Sequence, residues 1–173
     1  MAGNKYLALV SGVIKEVFGV QTSSGVSDAN KIPALDSTGK LDITLMPVGV
    51  TAEALTILAS ENLSAGDLVN FYSNAGTLNV RRADASSNAK FANGFVLSAV
   101  TSGQNATVYL EGLNTAVSGL TVGAEYWLSS TTPGGLVGVG ALPATANYII
   151  QPIGTANSAS SIYFNRRNTI ELS

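Results

Sequence analysis

From residue 93 to residue 128 the chain reads NGFVLSAVTSGQNATVYLEGLNTAVSGLTVGAEYWL, and its side chains alternate in character along most of that length. Phe95, Leu97 and Ala99 alternate with Val96, Ser98 and Val100. Thr101-Ser102-Gly103-Gln104-Asn105 breaks the run, and then Ala106, Val108 and Leu110 alternate with Thr107, Tyr109 and Glu111. A period of two over short β-branched and aromatic runs, bounded by turn residues, is the pattern of half-buried antiparallel strands. The stretch predicts three strands joined by two Gly/Asn/Ser turns. It holds no nucleophile beside a base and no cluster of metal ligands, so it reads as scaffold.

The flanking sequence extends this pattern. Residues 52 to 59, AEALTILA, read as a strand, because a helix of about eight residues is marginal unless packed. Leu68 to Tyr72 and Leu78 to Val80 read as a pair around a turn at Ser73-Asn74-Ala75-Gly76. Ser161 to Phe164 reads as a closing strand. A faint internal repeat is also visible. Leu63-Ser64-Ala65-Gly66, then Val69, Phe71 and Leu78, resemble Leu120-Thr121-Val122-Gly123, then Tyr126, Leu128 and Leu136. The offset is 57 residues, slipping to 58 after the turn. Each copy would be a Gly-led turn feeding a β-hairpin, which suggests a pseudo-symmetric sandwich or barrel.

The N-terminal part is different. Residues 1 to 20 alternate poorly and read as a strand, with a short helix over Val13 to Phe18 as the alternative. Residues 21 to 30 are polar and turn-like. Pro33 and Pro47 bracket the next segment, in which Asp36-Ser37-Thr38-Gly39 is a turn. Leu41, Ile43 and Leu45 then alternate with Asp42, Thr44 and Met46 as a short extended piece. The expected organisation is an extended N-terminal arm and linker over residues 1–50, and a compact, mainly antiparallel β-sandwich or barrel-like domain over 51–173.

Several chemistries are excluded by what the chain lacks. It has no cysteine and no histidine, which removes disulfides, thiolate chemistry, zinc sites built on those residues and histidine general-base catalysis. Gly39-Lys40 lacks the upstream glycine of a phosphate loop. Asp36 to Asp42 lacks the alternating ligands and terminal glutamate of a calcium loop. Asp67, Asp84, Glu111 and Glu125 could pair as glycosidase carboxylates, but no pair stands out. Arg81-Arg82 and Arg166-Arg167 have no basic surround and read as salt-bridging or interface residues rather than nucleic-acid contacts. No catalytic, cofactor-binding or metal residue is assigned. A net charge of -2 gives no field to recruit nucleic acid or an anionic membrane, and no apolar run approaches the roughly 20 residues that span a bilayer. The apolar run from Tyr6 to Ile14 has no clear small-residue cleavage site and meets Lys15-Glu16 at once, so no signal peptide is expected.

Charge is scarce where apolar residues are dense. Apolar residues make up 46% of the chain and charged residues 12%, about half the usual charged share of a soluble domain. From Gly112 to Ser161 the only charged residue is Glu125. Part of that span must be the domain's own core. The rest is a candidate subunit interface, because interface cores are depleted of charge and enriched in aromatics. The interface candidates are Leu113, Leu120, Trp127, Leu136, Ile149 and Ile150. A neutral, Ser/Thr/Asn-rich β surface is the alternative.

Residues 80 to 137 resemble a β-domain of tailed-bacteriophage virion proteins, found in capsid decoration (cement) proteins, head fibres and tail fibres. The shared elements are Arg81 to Asp84, Gly94-Phe95-Val96, Val108 to Gly112, Leu120 to Gly123, and Tyr126-Trp127 before a Ser/Gly turn. The stretch from Ala34 to Pro47 is similar to a linker of phage fibres. The resemblance implies a non-enzymatic virion protein without cofactors, a homotrimer, made in the host cytoplasm and placed on the outer capsid surface against the major capsid protein. A tail-fibre or receptor-binding module is the alternative, and a glycan-active enzyme is a third. The short length and the absence of heptads or shaft repeats favour the decoration protein. On that reading the arm residues Tyr6, Leu7, Leu9, Val13, Ile14, Val17 and Phe18 contact the capsid.

Overall fold

A computed structural model describes residues 5–46 and 53–173. The chain divides into two compact units, Met1–Thr51 and Ala52–Ser173. The fold is mainly β, as the alternation predicts, with no α-helix among the described residues.

The first unit opens on a hairpin of β1 (Lys5–Val10) and β2 (Val13–Phe18). Lys5 stands opposite Phe18 and Val10 opposite Val13. Ser11 and Gly12 both take positive φ, 53° and 79°, the backbone that a two-residue turn needs to match the twist of its strands. The helical alternative for Val13 to Phe18 is therefore not taken. The Asp36 turn forms as expected: its Oδ1 accepts the N–H groups of Thr38 and Lys40 at 2.8 and 3.0 Å. The extended piece expected over Leu41 to Leu45 does not form. Asp42 Oδ1 accepts both Thr44 N–H and its hydroxyl, at 2.9 and 2.6 Å, and this local capping winds Ile43–Leu45 into a 3-10 turn. Pro47 lies outside the described residues.

The second unit is built twice from one plan. β3 (Ala54–Ala59), β4 (Leu68–Asn74), β5 (Thr77–Arg82), β6 (Gly94–Val96) and β7 (Asn105–Tyr109) close into a barrel in the order β3-β5-β4-β6-β7. β8 (Gly112–Asn114), β9 (Glu125–Leu128) and β10 (Leu136–Val137) follow. After β11 (Ile149–Ile150) come β12 (Pro152–Ser158) and β13 (Ser161–Phe164), and β14 (Ile170–Glu171) pairs with β11. The second sheet runs β10-β9-β12-β13-β8. Put β8, β10, β9, β12 and β13 in place of β3, β5, β4, β6 and β7, and the two strand orders coincide.

The hydrogen bonds repeat as well. Gly66 N–H donates to Val96 O at 2.8 Å, and Gly123 N–H to Ala156 O at 2.8 Å. Val96 N–H returns to Asp67 O at 3.0 Å, and Ala156 N–H to Ala124 O at 2.9 Å. Gly66 and Gly123 both hold positive φ, 91° and 79°, which a side chain would disfavour. The leucines that lead the two copies, Leu63 and Leu120, are both buried.

The copies differ at one seam. In the first, β3 runs on to Leu58 and Ala59, which pair in parallel with Asn79 and Val80 and close the barrel. In the second, β8 stops at Asn114. The Asn114 side chain accepts Ala116 N–H at 3.1 Å and donates to Gly66 O at 2.9 Å, so the chain turns away towards the first copy. Gly66 leaves room for it: a Cβ there would fall 2.3 Å from Ala116 O.

The cores follow from this difference. The closed barrel fills itself with Ile57, Leu63, Val69, Val80, Val96 and Val108. The open sheet buries Leu120, Leu128, Ile153, Ile162 and Phe164 against Leu68 and Phe95 of the first copy. Leu68 and Phe95 alternate with the barrel residues Val69 and Val96, so they stand on the barrel's outer face. The Phe95 ring lies 5.5 Å from that of Tyr109 and 5.6 Å from that of Phe164.

The stretch 93–128 therefore holds four strands in two sheets, not three in one. Leu97 to Val100 leaves the ladder because Val100 bridges Leu63, with N–H···O distances of 2.8 and 2.9 Å. After Tyr109 the chain passes through Gly112, at φ 113°, and enters the second sheet.

Candidate functional site

The hairpin places the arm residues on two faces. Side chains directly opposite on an antiparallel pair share a face, so Lys5, Leu7, Leu9, Ile14, Glu16 and Phe18 stand together. Leu7, Leu9, Ile14 and Phe18 are each 68–73% exposed. Lys5 closes one end: its ammonium lies 3.1 Å from Glu16 Oε2 and 4.9 Å from the centre of the Phe18 ring. The other face carries Tyr6 and Val17, both half-buried, and Val13, which is 57% exposed. Tyr6 borders a shallow cleft with Ile32, Pro33 and Leu35. One face of this two-stranded sheet thus carries four large exposed apolar side chains beside Lys5 and Glu16.

The interface candidates are divided by the second sheet. Ile149 and Leu120 belong to the core of the unit itself, and Leu136 packs against that core half-buried. Ile150 is half-buried opposite Ile170. Leu113 and Trp127 alternate with the inward residues of β8 and β9 and stand on the sheet's outer face. Leu113 is 42% exposed and sits opposite Tyr163, exposed at 52%. A charge-poor sequence reads alike for core and interface, and that is why the six could not be separated beforehand.

The charged residues have specific partners. Glu125 is 3.4 Å from Arg167, and the Arg166 guanidinium lies 5.2 Å from the Phe91 ring centre. Asp67 Oδ2 accepts Ser64 N–H at 2.8 Å, and burial raises its carboxyl above the ordinary value of 3.8. Arg81 and Arg82 meet Glu61, Asp84, Lys90 and Tyr72 at one cleft. Sequence inspection picked out the arginine doublet and Asp84 but missed Glu61 and Lys90 beside them. The signal available was the concentration of charge around Arg81 in an otherwise charge-poor chain. Among the described residues, no group of three or more His, Cys, Asp or Glu is placed to hold a metal ion, and no helix is long and apolar enough to cross a membrane.

No family model and no curated protein matches this sequence. Among solved structures, the chain is similar to the head fibre gp8.5 N base of bacteriophage phi29, at a TM-score of 0.45 and 15% identity over 71% of this chain and 99% of that one.

Proposed function

We propose that this chain is a non-enzymatic structural protein of a tailed-phage virion, a capsid decoration protein that grips the outer shell through its N-terminal hairpin. The observation that carries this reading is the exposed stripe of Leu7, Leu9, Ile14 and Phe18. The sequence resemblance of residues 80 to 137 to virion β-domains supplies the class of partner, the major capsid protein. Fully burying such side chains stabilises a complex by about 1.5–3 kcal/mol each, reduced by the freedom lost on association. Among the described residues β1 and β2 form a two-stranded sheet, whose outer edges add backbone donors and acceptors for strand addition.

The second unit acts as a homotrimer on this reading. Leu113, Tyr163 and Trp127 share the outer face of a sheet that contains one charged strand residue, Glu125. Three hairpins on one particle would add avidity wherever the shell offers matching sites. Sedimentation at micromolar concentration is expected to give about three chain masses, and a monomer would remove this part of the reading. For the attachment itself, full-length protein and a variant lacking residues 1 to 48 are mixed with undecorated heads and occupancy is measured. Full occupancy by the truncated protein would rule out the hairpin as anchor. If neither protein binds heads and the full chain binds host cells, the tail-fibre alternative replaces the decoration reading.

A further inference from the structure

The chain has nine Lys and Arg and eleven Asp and Glu, and five of these twenty, Glu61, Arg81, Arg82, Asp84 and Lys90, line a single cleft of about 410 Å³. The cleft lies on the closed barrel, with Pro133 from the β9–β10 turn of the second copy at its rim. β4 and β5 supply Tyr72, Arg81 and Arg82, and the loops on either side supply Ser60, Glu61, Asp84 and Lys90. Strands hold the arginines, so their positions are set by the ladder rather than by a mobile loop.

Arg81 is held on three sides. Its Nε donates to Asn70 Oδ1 and its Nη2 to Ala89 O, both at 3.0 Å, and the guanidinium lies 4.4 Å from the centre of the Tyr72 ring. Arg82 is engaged only in part. Its Nη2 is 3.3 Å from Glu61 Oε2, whose other oxygen accepts Arg82 backbone N–H at 2.7 Å. Arg82 Nε is buried and has no acceptor among the described residues. Lys90 Nζ stands 4.0 Å from Asp84 Oδ2, a loose contact that leaves its donors available. The cleft thus presents two arginines fixed by the ladder and a loosely paired lysine, beside two carboxylates that can accept hydrogen bonds.

We propose that this cleft binds a sugar acid, a ligand with one carboxylate and several hydroxyls. Three cations and two carboxylates leave one net positive charge, which matches a monoanion. A phosphate dianion would meet Glu61 and Asp84 as repelling neighbours. A guanidinium fork and an ammonium group suit a carboxylate. Glu61, Asp84 and the Ser60 hydroxyl suit the alcohols around it. The volume lies within the range of small-molecule sites, at about 300–1,000 Å³. The equivalent place in the second copy has Val139 and Gly140 where the first has the arginine doublet, so the duplicated scaffold carries this site once.

The full chain is titrated at low salt with sodium D-glucuronate, followed by heteronuclear NMR. Glucose, glucose 6-phosphate and N-acetyl-aspartyl methylamide serve as a neutral sugar, a phosphate and a protein-type carboxylate. Glucuronate is expected to bind saturably and at least tenfold more tightly than the other three, shifting the amides of residues 81, 82 and 90. Lys90→Gln and Arg82→Gln are each expected to weaken it at least fivefold. Binding of glucuronate no tighter than glucose overturns the proposal. Equal or tighter binding of the phosphate or of the aspartyl compound overturns it in favour of that ligand. Should Arg82→Gln fail to fold, Lys90→Gln decides alone, because its ion pair is loose and half-exposed; unchanged affinity there also overturns the proposal.

Discussion

Gly94 and Gly154 occupy the same place in the two copies, each pressed against a tyrosine carbonyl across the ladder. A Cβ on Gly94 would lie 2.4 Å from Tyr109 O, and one on Gly154 would lie 1.9 Å from Tyr163 O. Both glycines pair with corresponding residues of the leading hairpins, Val69 and Tyr126. Gly94→Ala and Gly154→Ala are each expected to destabilise the second unit by about 1–3 kcal/mol or more through overpacking, read from denaturant midpoints. Gly138→Ala is the control. Gly138 has φ -79° and open space around its Cα, so its substitution should fall within about 0.5 kcal/mol of the parent.

Phe95 joins the copies, standing on the barrel and buried in the open sheet. Phe95→Ala is expected to cost about 3–5 kcal/mol. It should also separate the unfolding of the two copies, so that the fluorescence of Trp127 in β9 and the far-UV signal no longer change together on heating. Coincident transitions in that variant would show that the copies are held together elsewhere.

Gln151 is buried and exchanges two hydrogen bonds with Ala92, accepting from its N–H at 2.7 Å and donating to its carbonyl at 2.9 Å. A side chain here imitates a ladder pair. Gln151→Leu keeps the bulk and strands both backbone groups of Ala92. A loss of about 2–4 kcal/mol is expected, measured by urea denaturation at neutral pH.

Asp67 and the aspartates of the first unit respond to pH in opposite ways. Burial raises the Asp67 carboxyl in the folded protein. Its contribution is therefore fully present below the ordinary value of 3.8 and is lost as pH rises through the folded value. Asp67→Asn should raise the melting temperature at pH 7, and the gain should shrink towards pH 4. Asp36 is lowered, chiefly by the Lys40 backbone N–H. Its contribution is present above 3.8 and is lost as pH falls through the folded value. Asp36→Asn should accordingly weaken protection of the Thr38 and Lys40 amides from hydrogen exchange at neutral pH.

Removing residues 1 to 48 is expected to leave a cooperative β-type melt, because the barrel and the open sheet bury their apolar residues within residues 53–173. Loss of folding in that variant would make the first unit an integral part of the second.

Much of the second unit was legible because alternation is a local signal. β3, β4, β5 and β13 fall where period-two runs and turn residues placed them, and the offset between Leu63 and Leu120 announced the duplication. The closing of one copy and the opening of the other were not legible. They depend on Asn114 reaching Gly66 across 48 positions of sequence, and such a contact leaves no periodic trace. Asp42 misled for the opposite reason: its capping of Thr44 overrides the alternation of Leu41, Ile43 and Leu45. The hairpin stripe was visible as apolar content, but its division into two faces required the register that Ser11-Gly12 imposes. Glu61 was not legible as part of the charged cleft because it reaches Arg82 only through the β3–β5 pairing that closes the barrel.

The inequality of the two copies gives the molecule a direction in time. Residues 53 to 110 contain every strand of a closed barrel, and they are synthesised before residues 112 to 164. The later copy has no closed interior of its own and packs on the barrel's outer face around Phe95, so it is expected to fold after the barrel. A released chain ending at Leu110 should therefore resist proteolysis, whereas the C-terminal half made alone should be digested.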